Sequence, residues 1–341
     1  MAGDKKEKDE KAIIVEHLTK NFEVTEKKKG LSGSISSLFS PQKKTVRALR
    51  NISFTINPGE LVGFIGPNGA GKTTTLKILS GLLYPTAGFV QVLGYDPWDR
   101  KADFLKEIAV VFGQKNQLWW DLPAQETFEL NRAIYEIPDK VYKEALAELV
   151  GILEVKKLLK TQVRRLSLGQ RMRLELVAAL LHRPDVLFLD EPTIGLDVVA
   201  QQKVRDFLYE YNKRRKATIL LTSHNMDDLV DLAKRVIVID KGKILFDGEL
   251  TELVGEFARE KIIKVYLSKE GDMKKFEEIG EVRKINYPLV ILSVPREAAA
   301  LAAAELLQNF SVADLTIEEE SVESIIRRVF KGELKKGEKR S

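Results

Sequence analysis

Residues 66–73 read Gly-Pro-Asn-Gly-Ala-Gly-Lys-Thr, directly after an apolar run at 61–65. A short, unbroken apolar run of this kind is the pattern of a fully buried strand in a parallel sheet. The octapeptide fits G-x-x-x-x-G-K-[ST] in the order strand, loop, helix, which is the context that gives this spacing its chemistry. Glycine lets the chain turn tightly and approach an anion with no Cβ in the way. Loop N–H groups and the N-terminus of a helix beginning near Gly71 then wrap phosphate oxygens. Gly66, Pro67, Asn68, Gly69, Ala70, Gly71, Lys72, Thr73 and Thr74 are the residues expected along a nucleoside triphosphate. Lys72 would neutralise charge on the β- and γ-phosphates, and Thr73 would reach Mg²⁺.

The surrounding chain alternates as such a loop requires. Residues 12–18 and 46–56 read as strands, the second because Ile52, Phe54 and Ile56 alternate with Ser53 and Thr55. Asn57-Pro58-Gly59 makes a turn. Strand-like runs return at 186–189, 218–221 and 236–239, separated by helical patterns such as 198–214. That alternation implies βα units around a mostly parallel sheet. From 101 to about 162 the pattern is mostly helical, with Val141, Ala145, Leu146, Leu149, Val150 and Leu153 on one face. This predicts a helical subdomain at about 116–162. Beyond Leu250 the order becomes strand (262–267), helix (273–279), strand (281–285), strand (290–294), helix (296–307), strand (312–317). That is the ferredoxin-like βαββαβ arrangement, and one more helix follows at 322–330. The expected fold class is α/β, a P-loop (RecA-like) core with a helical subdomain plus a small C-terminal ferredoxin-like α+β domain. The expected boundaries are a charged tail at 1–11, the nucleotide-binding domain at 12–250, the accessory domain at 251–332 and a tail at 333–341.

Composition removes several alternatives. The chain has no cysteine among its 341 residues, which excludes a disulfide scaffold, cysteine-based zinc sites and thiol catalysis. A net charge of +5 invites a nucleic-acid reading, but residues 25–50 alone carry +6 and residues 251–341 carry −1. The excess is local, so no basic face and no nucleic-acid partner is expected. The mixed-charge start lacks the apolar core of a secretory signal, and no window approaches the roughly 18 apolar residues of a membrane span. Work at a membrane would then go through a partner.

Val186-Leu187-Phe188-Leu189-Asp190-Glu191-Pro192 is an apolar run ending in two acids. Asp190 can hold magnesium directly or through water, and Glu191 can polarise an attacking water. Between the two motifs lies Arg165-Leu166-Ser167-Leu168-Gly169-Gln170-Arg171, with Ser167 placed as N-cap of a helix at 169–181. With these motifs together, the chain resembles the ATP-binding cassette (ABC) ATPases over residues 12–250. Their signature is Leu-Ser-Gly-Gly-Gln, matched here except that Leu168 stands where a glycine is usual.

The resemblance carries further expectations, residue by residue. Ser167, Leu168, Gly169 and Gln170 would reach the γ-phosphate of the nucleotide held by the opposite copy. Gln114, in Phe112-Gly113-Gln114, resembles the glutamine that contacts magnesium and couples to the membrane partner. Asp197, in Gly195-Leu196-Asp197, resembles the aspartate loop that spans the dimer. His224 resembles the switch histidine at the γ-phosphate, and Phe22 the aromatic residue that stacks on adenine. Catalysis would rest on Glu191, His224 and Lys72, and metal binding on Thr73, Gln114 and Asp190. The implied cofactors are ATP and Mg²⁺. The implied partners are a second copy of the chain and separate transmembrane permease subunits, placing the chain at the cytoplasmic face of the cell membrane. The long insertion at 27–45, the altered signature and the tail domain resemble multidrug- or polysaccharide-type exporter subunits; an importer subunit or a soluble ABC ATPase acting on ribosomes or DNA stays open. Leu31, Ile35, Leu38 and Phe39 would form one apolar stripe between lysine clusters, suited to lipid headgroups or the permease. Trp119 and Trp120 are candidates for a permease pocket, whereas His17 and His182 gain no functional support.

Overall fold

The computed structural model describes residues 11–26, 42–113, 115–223, 232–257, 260–269 and 274–331. The chain divides into two compact units, Met1–Gly248 and Glu249–Ser341. The first is built around a six-stranded sheet of order β5-β6-β7-β3-β8-β9. Its strands are β3 (Leu61–Ile65), β5 (Ile108–Phe112), β6 (Val186–Asp190), β7 (Thr218–Ser223), β8 (Arg235–Asp240) and β9 (Lys243–Glu249). Every residue of β3 and β7 is buried, as central strands of a parallel sheet should be. The register sets Ile65 beside Ser223, Asp190 beside Thr222 and Phe112 beside Asp190. The carboxyl ends of four strands therefore share one rim, where α/β sheets place their ligands.

A second, antiparallel sheet of order β2-β1-β4 packs across the first. It comprises β1 (Ile13–Glu26), β2 (Gln42–Ile56) and β4 (Ala87–Val92). Ile13, Val15, Leu18, Ile52, Phe54 and Val90 form one core with Phe64, Phe188, Leu220 and Ile237 of the parallel strands. Phe54 and Phe64 meet across the layers with ring centroids 5.8 Å apart. Each such buried side chain contributes about 1.5–3 kcal/mol.

Helices α1 (Lys72–Leu79) and α2 (Ala102–Glu107) flank the sheets, and α3 (Ala124–Ile134) with α4 (Asp139–Ile152) form the helical subdomain. Phe128, Tyr142, Ala145, Leu149 and Val150 are its buried face. Helices α5 (Leu168–Leu180) and α6 (Val198–Arg215) complete the unit.

Three expectations need correction. The region from 101 to 162 is not continuously helical, because α2 passes without a turn into β5, an edge strand of the main sheet. Strands β1 and β2 are far longer than 12–18 and 46–56. They continue as a ribbon from Asn21 opposite Arg47 to Glu26 opposite Gln42, so the last residues of the basic insertion belong to β2. The helix placed at 169–181 begins one residue earlier, with Leu168 in its first turn. Residues 27–41, carrying the rest of the insertion and its apolar stripe, lie outside the described residues.

The second unit opens with α7 (Leu250–Phe257), followed by β10 (Glu260–Leu267), α8 (Lys274–Ile279), β11 (Glu281–Asn286), β12 (Leu289–Pro295), α9 (Ala299–Asn309), β13 (Val312–Glu319) and α10 (Val322–Lys331). Its antiparallel sheet has the order β11-β12-β10-β13. Alternate residues Ile263, Val265 and Leu267 of β10 and Val290, Leu292 and Val294 of β12 face a core with Phe276 and Leu306 of the two crossover helices. No helix among the described residues is long and apolar enough to cross a membrane.

Candidate functional site

The loop after β3 folds as its glycines demand. Gly71 caps α1 at φ +116, a backbone conformation closed to most side chains, and a Cβ there would sit 2.7 Å from Leu49 Cδ2 and 2.9 Å from the Ala48 carbonyl. A Cβ on Gly66 would lie 2.4 Å from the Ile239 carbonyl oxygen. The loop is thus threaded against β2 and β8. Lys72 is 5% exposed; its Nζ donates to the Gly66 carbonyl at 2.6 Å and lies 3.6 Å from Glu191 Oε1. Burial holds this ammonium below its ordinary pKa, against the opposing pull of Glu191 and Asp190.

The two acids at the tip of β6 are held from two sides. Thr73 Oγ1 donates to Asp190 Oδ2 at 2.7 Å, and Thr222 Oγ1 donates to Asp190 Oδ1 at 2.7 Å. The Glu191 N–H donates to both the hydroxyl and the carbonyl of Thr222, each at 3.1 Å. Glu191 itself sits at φ +53, a strained position for a residue with a side chain and one that recurs at functional sites. Gly113 N–H donates to the Asp190 carbonyl at 2.8 Å, and a Cβ at Gly113 would fall 2.1 Å from the Glu191 carbonyl oxygen. The segment leading to Gln114 therefore abuts the acids. Gln114 and His224 themselves lie outside the described residues.

A cleft of about 530 Å³ opens above this network, lined by Ala48, residues 67–74, Lys77, Phe112, Lys115, Asp190 and Glu191. Its size suits a nucleotide. Lys77 and Lys115 were missed by the reading of the sequence. Lys77 stands one helical turn after Thr73 and could have been found by that spacing; Lys115 simply follows Gln114. Phe22 is half-buried opposite Val46 on the ribbon, two residues from the Ala48 that lines the cleft, with Lys20 Nζ 5.0 Å above its ring.

The signature segment stands apart from this cleft. Ser167 Oγ accepts from Gln170 N–H at 3.2 Å, and Gln170 Oε1 accepts from Ser167 N–H at 3.0 Å, a reciprocal capping box. The serine hydroxyl accepts in this cap, so its proton stays available to an incoming oxygen. Leu168 fits because its Cδ2 packs where a Cβ on Gly195 would come, 2.8 Å away, with Gly195 at φ +70. Asp197 is the N-cap of α6, accepting from Ala200 N–H at 2.8 Å, and Val198 and Val199 beyond it are 75% and 67% exposed.

The remaining candidates separate. Trp119 and Trp120 are half-exposed. They do not line the second groove, a space of about 440 Å³ bounded by Leu82, Gln117, Ile134, Tyr135 and His182 among others. His17 Nδ1 pairs with Asn51 Oδ1 at 3.0 Å. His182 stacks on Tyr135 with centroids 4.0 Å apart, and its Nε2 is 3.0 Å from the Ile108 carbonyl. Neither lines the cleft above the phosphate loop.

Comparison with known proteins finds matches to two segments of the chain. Residues 49–194 match the family model described as ABC transporter, and residues 259–318 match the model described as EvrA-like ABC transporter, C-terminal domain. The ABC transporter ATP-binding protein NatA of Bacillus subtilis is 33% identical over 234 residues, covering 69% of this chain and 95% of NatA. The linearmycin resistance ATP-binding protein LnrL of the same organism is 27% identical over 292 residues, covering 83% of this chain and 93% of LnrL. A dimeric, post-hydrolysis ATP-binding cassette bound to ADP and Pi superposes with a TM-score of 0.57 at 25% identity, over 70% of this chain and 98% of that one. The chain belongs to the ABC transporter family as an ATP-binding ATPase subunit.

Proposed function

We propose that this chain is the motor subunit of an exporter, two copies closing head to tail around two ATP molecules to drive a separately encoded permease. The observation that carries the reading is the division of one site between two surfaces of a single chain. Lys72, Thr73, Asp190 and Glu191 converge on the cleft, while the capped Ser167 faces none of them. One copy thus supplies phosphate binding, and its partner supplies Ser167, Leu168, Gly169 and Gln170. The exporter direction draws support from LnrL, whose name is a resistance function and whose likeness extends into the second unit. We take 12–250 as the nucleotide-binding domain and 251–332 as an accessory domain.

The donors present suit Mg²⁺, a hard ion that prefers oxygen and keeps few protein ligands beside substrate phosphates. The Thr73 hydroxyl and Asp190 carboxylate already share a 2.7 Å hydrogen bond, and the described residues hold no cluster of three acids or histidines that would bind a metal without the nucleotide. Thr73 and Asp190, with Gln114, would hold the ion, which supplies neutralisation of phosphate charge when bound. Lys72 orients the β- and γ-phosphates and stabilises the charge that develops on them. Glu191 accepts a proton from the attacking water; its fixed backbone and the Thr222 contacts keep its carboxylate beside the phosphates. His224 is assigned to the γ-phosphate and Phe22 to adenine, for which the Lys20 ammonium must leave the ring. Asp197 and the exposed Val198 and Val199 suit a contact with the second copy. The groove of Leu82, Gln117, Ile134 and Tyr135 suits a short helix of the permease better than the two tryptophans do.

The test is co-purification from membranes followed by reconstitution. Recovery with transmembrane subunits and substrate-stimulated ATP hydrolysis supports the assignment; recovery with ribosomes overturns it.

A further inference from the structure

Glu175 lies on α5, two turns after the Ser167 cap, and is 1% exposed. Neither of its carboxylate oxygens has a side-chain hydrogen-bond partner. The nearest cation is Arg171, one turn earlier, whose Nε is 3.5 Å from Oε1 and makes no hydrogen bond of its own. The backbone N–H of Gln117, in the segment that follows Gln114, is the other group drawing on the carboxylate. Arg171 also lies over the Trp120 ring, 5.9 Å from its centroid, in that same segment. Among the charged side chains on α3, α5 and α6, Glu129 pairs with Tyr142, Arg132 with Asp139, Lys203 with Glu154, and Arg173 with the Leu153 carbonyl.

A buried carboxylate with so little polar support is costly, and an apolar residue of similar volume would cost less. Burial pushes this one up to about 7. Residues that break the local rule of polar satisfaction cluster where function requires them. Here the exception sits between the signature helix and the segment that follows Gln114.

We propose that Glu175 is a positioning residue that, with Arg171, ties residues 115–120 to the signature helix, so that the Gln114 loop and Ser167 move as one piece when two copies close. The proposal rests on the roles given above to Gln114 and Ser167. Arg171 is the shared element, close to the Glu175 carboxylate on one side and the Trp120 ring on the other. Losing either partner of the pair should leave nucleotide binding intact, because the phosphate loop is built from other residues, and should slow the step that needs both segments in register.

The experiment is steady-state ATP hydrolysis and equilibrium nucleotide binding by the full-length protein, comparing Glu175→Gln, Arg171→Gln and the double variant. Each single change should lower kcat about tenfold while KM and nucleotide affinity stay within about twofold, the split expected when positioning rather than binding is lost. The double variant should lose no more than the worse single, because both act through one linkage. Wild-type kcat in both singles, or losses that multiply in the double variant, would overturn the proposal. Glu175→Leu should fold and keep the low kcat; recovery of kcat with leucine would show that packing alone suffices and would also overturn it. Wild-type turnover and its loss in Glu191→Gln, measured alongside, test the underlying site, so failure of the positioning role is told apart from failure of the site itself.

Discussion

The phosphate-loop surface and the signature surface of this chain are built on different principles. Around the phosphate loop, side chains from β6, β7 and α1 lock one another: Thr73 and Thr222 both donate to Asp190, and Lys72 approaches Glu191. The signature surface is held by its own helix, through a capping box three residues wide, and by the seat that Gly195 leaves for Leu168. The first is a network with redundant supports; the second is a single cap on a helix end. Damage to the first should therefore remove chemistry, and damage to the second should remove what one copy offers the other.

The largest expected effect is at Glu191. Glu191→Gln should lower turnover about a thousandfold, the loss of a general base, while ATP-dependent dimers persist on size-exclusion chromatography; normal turnover would refute its assigned role. Next, Lys72→Ala should weaken nucleotide binding by about 3 kcal/mol, roughly a hundredfold, as removal of a buried charge partner does. Isothermal titration with ATP would measure it. Ser167→Ala then separates the two surfaces. It should remove a cap worth about 1 kcal/mol of stability, leave ATP affinity of the monomer unchanged and abolish ATP-dependent dimers; weakened monomer binding would show that the surfaces are not separate. Gly195→Ala combines left-handed strain with a clash against Leu168 and should destabilise by about 1–2 kcal/mol. Leu168→Gly added to it should recover only part, since the φ of +70 persists.

The smallest effect is a pH-dependent one at Glu175, whose carboxyl stands at about 7 against an ordinary 4.5. Between those values the folded chain holds a proton that the unfolded chain has released, so stability falls as pH rises through that window. Melting temperatures of wild type and Glu175→Gln should match near pH 5 and diverge toward pH 8 in favour of the glutamine variant. Parallel curves would show that the carboxylate is solvated. Greater stability with lower turnover in one variant would also separate positioning from simple loss of fold.

Much of the phosphate-loop surface was legible because its constraints are local. Glycines at 66 and 71, a buried run before them and acids after another buried run leave little freedom in how the chain folds there. Strand β5 was not legible, because Ile108 to Phe112 continue directly from a helix with no turn residue between, so five apolar positions read as more helix. The outer half of the β1/β2 ribbon escaped for the opposite reason: Glu23, Val24, Val46 and Arg47 are all exposed, so no alternation marks a face. Nothing in the local sequence marks Glu175, and only tertiary packing reveals that α5 is covered on that side. The fit of Leu168 depends on a glycine 27 positions later, a pairing that no local pattern encodes.

Thr222 touches both acids, through its hydroxyl to Asp190 and through hydroxyl and carbonyl to the Glu191 N–H. It also stands two residues before His224 at the end of β7. Strand and acids are therefore coupled: a displacement of the β7 tip acts on the Asp190 carboxylate and on the Glu191 backbone together. Thr222 is the pin that joins the end of the strand to the acids.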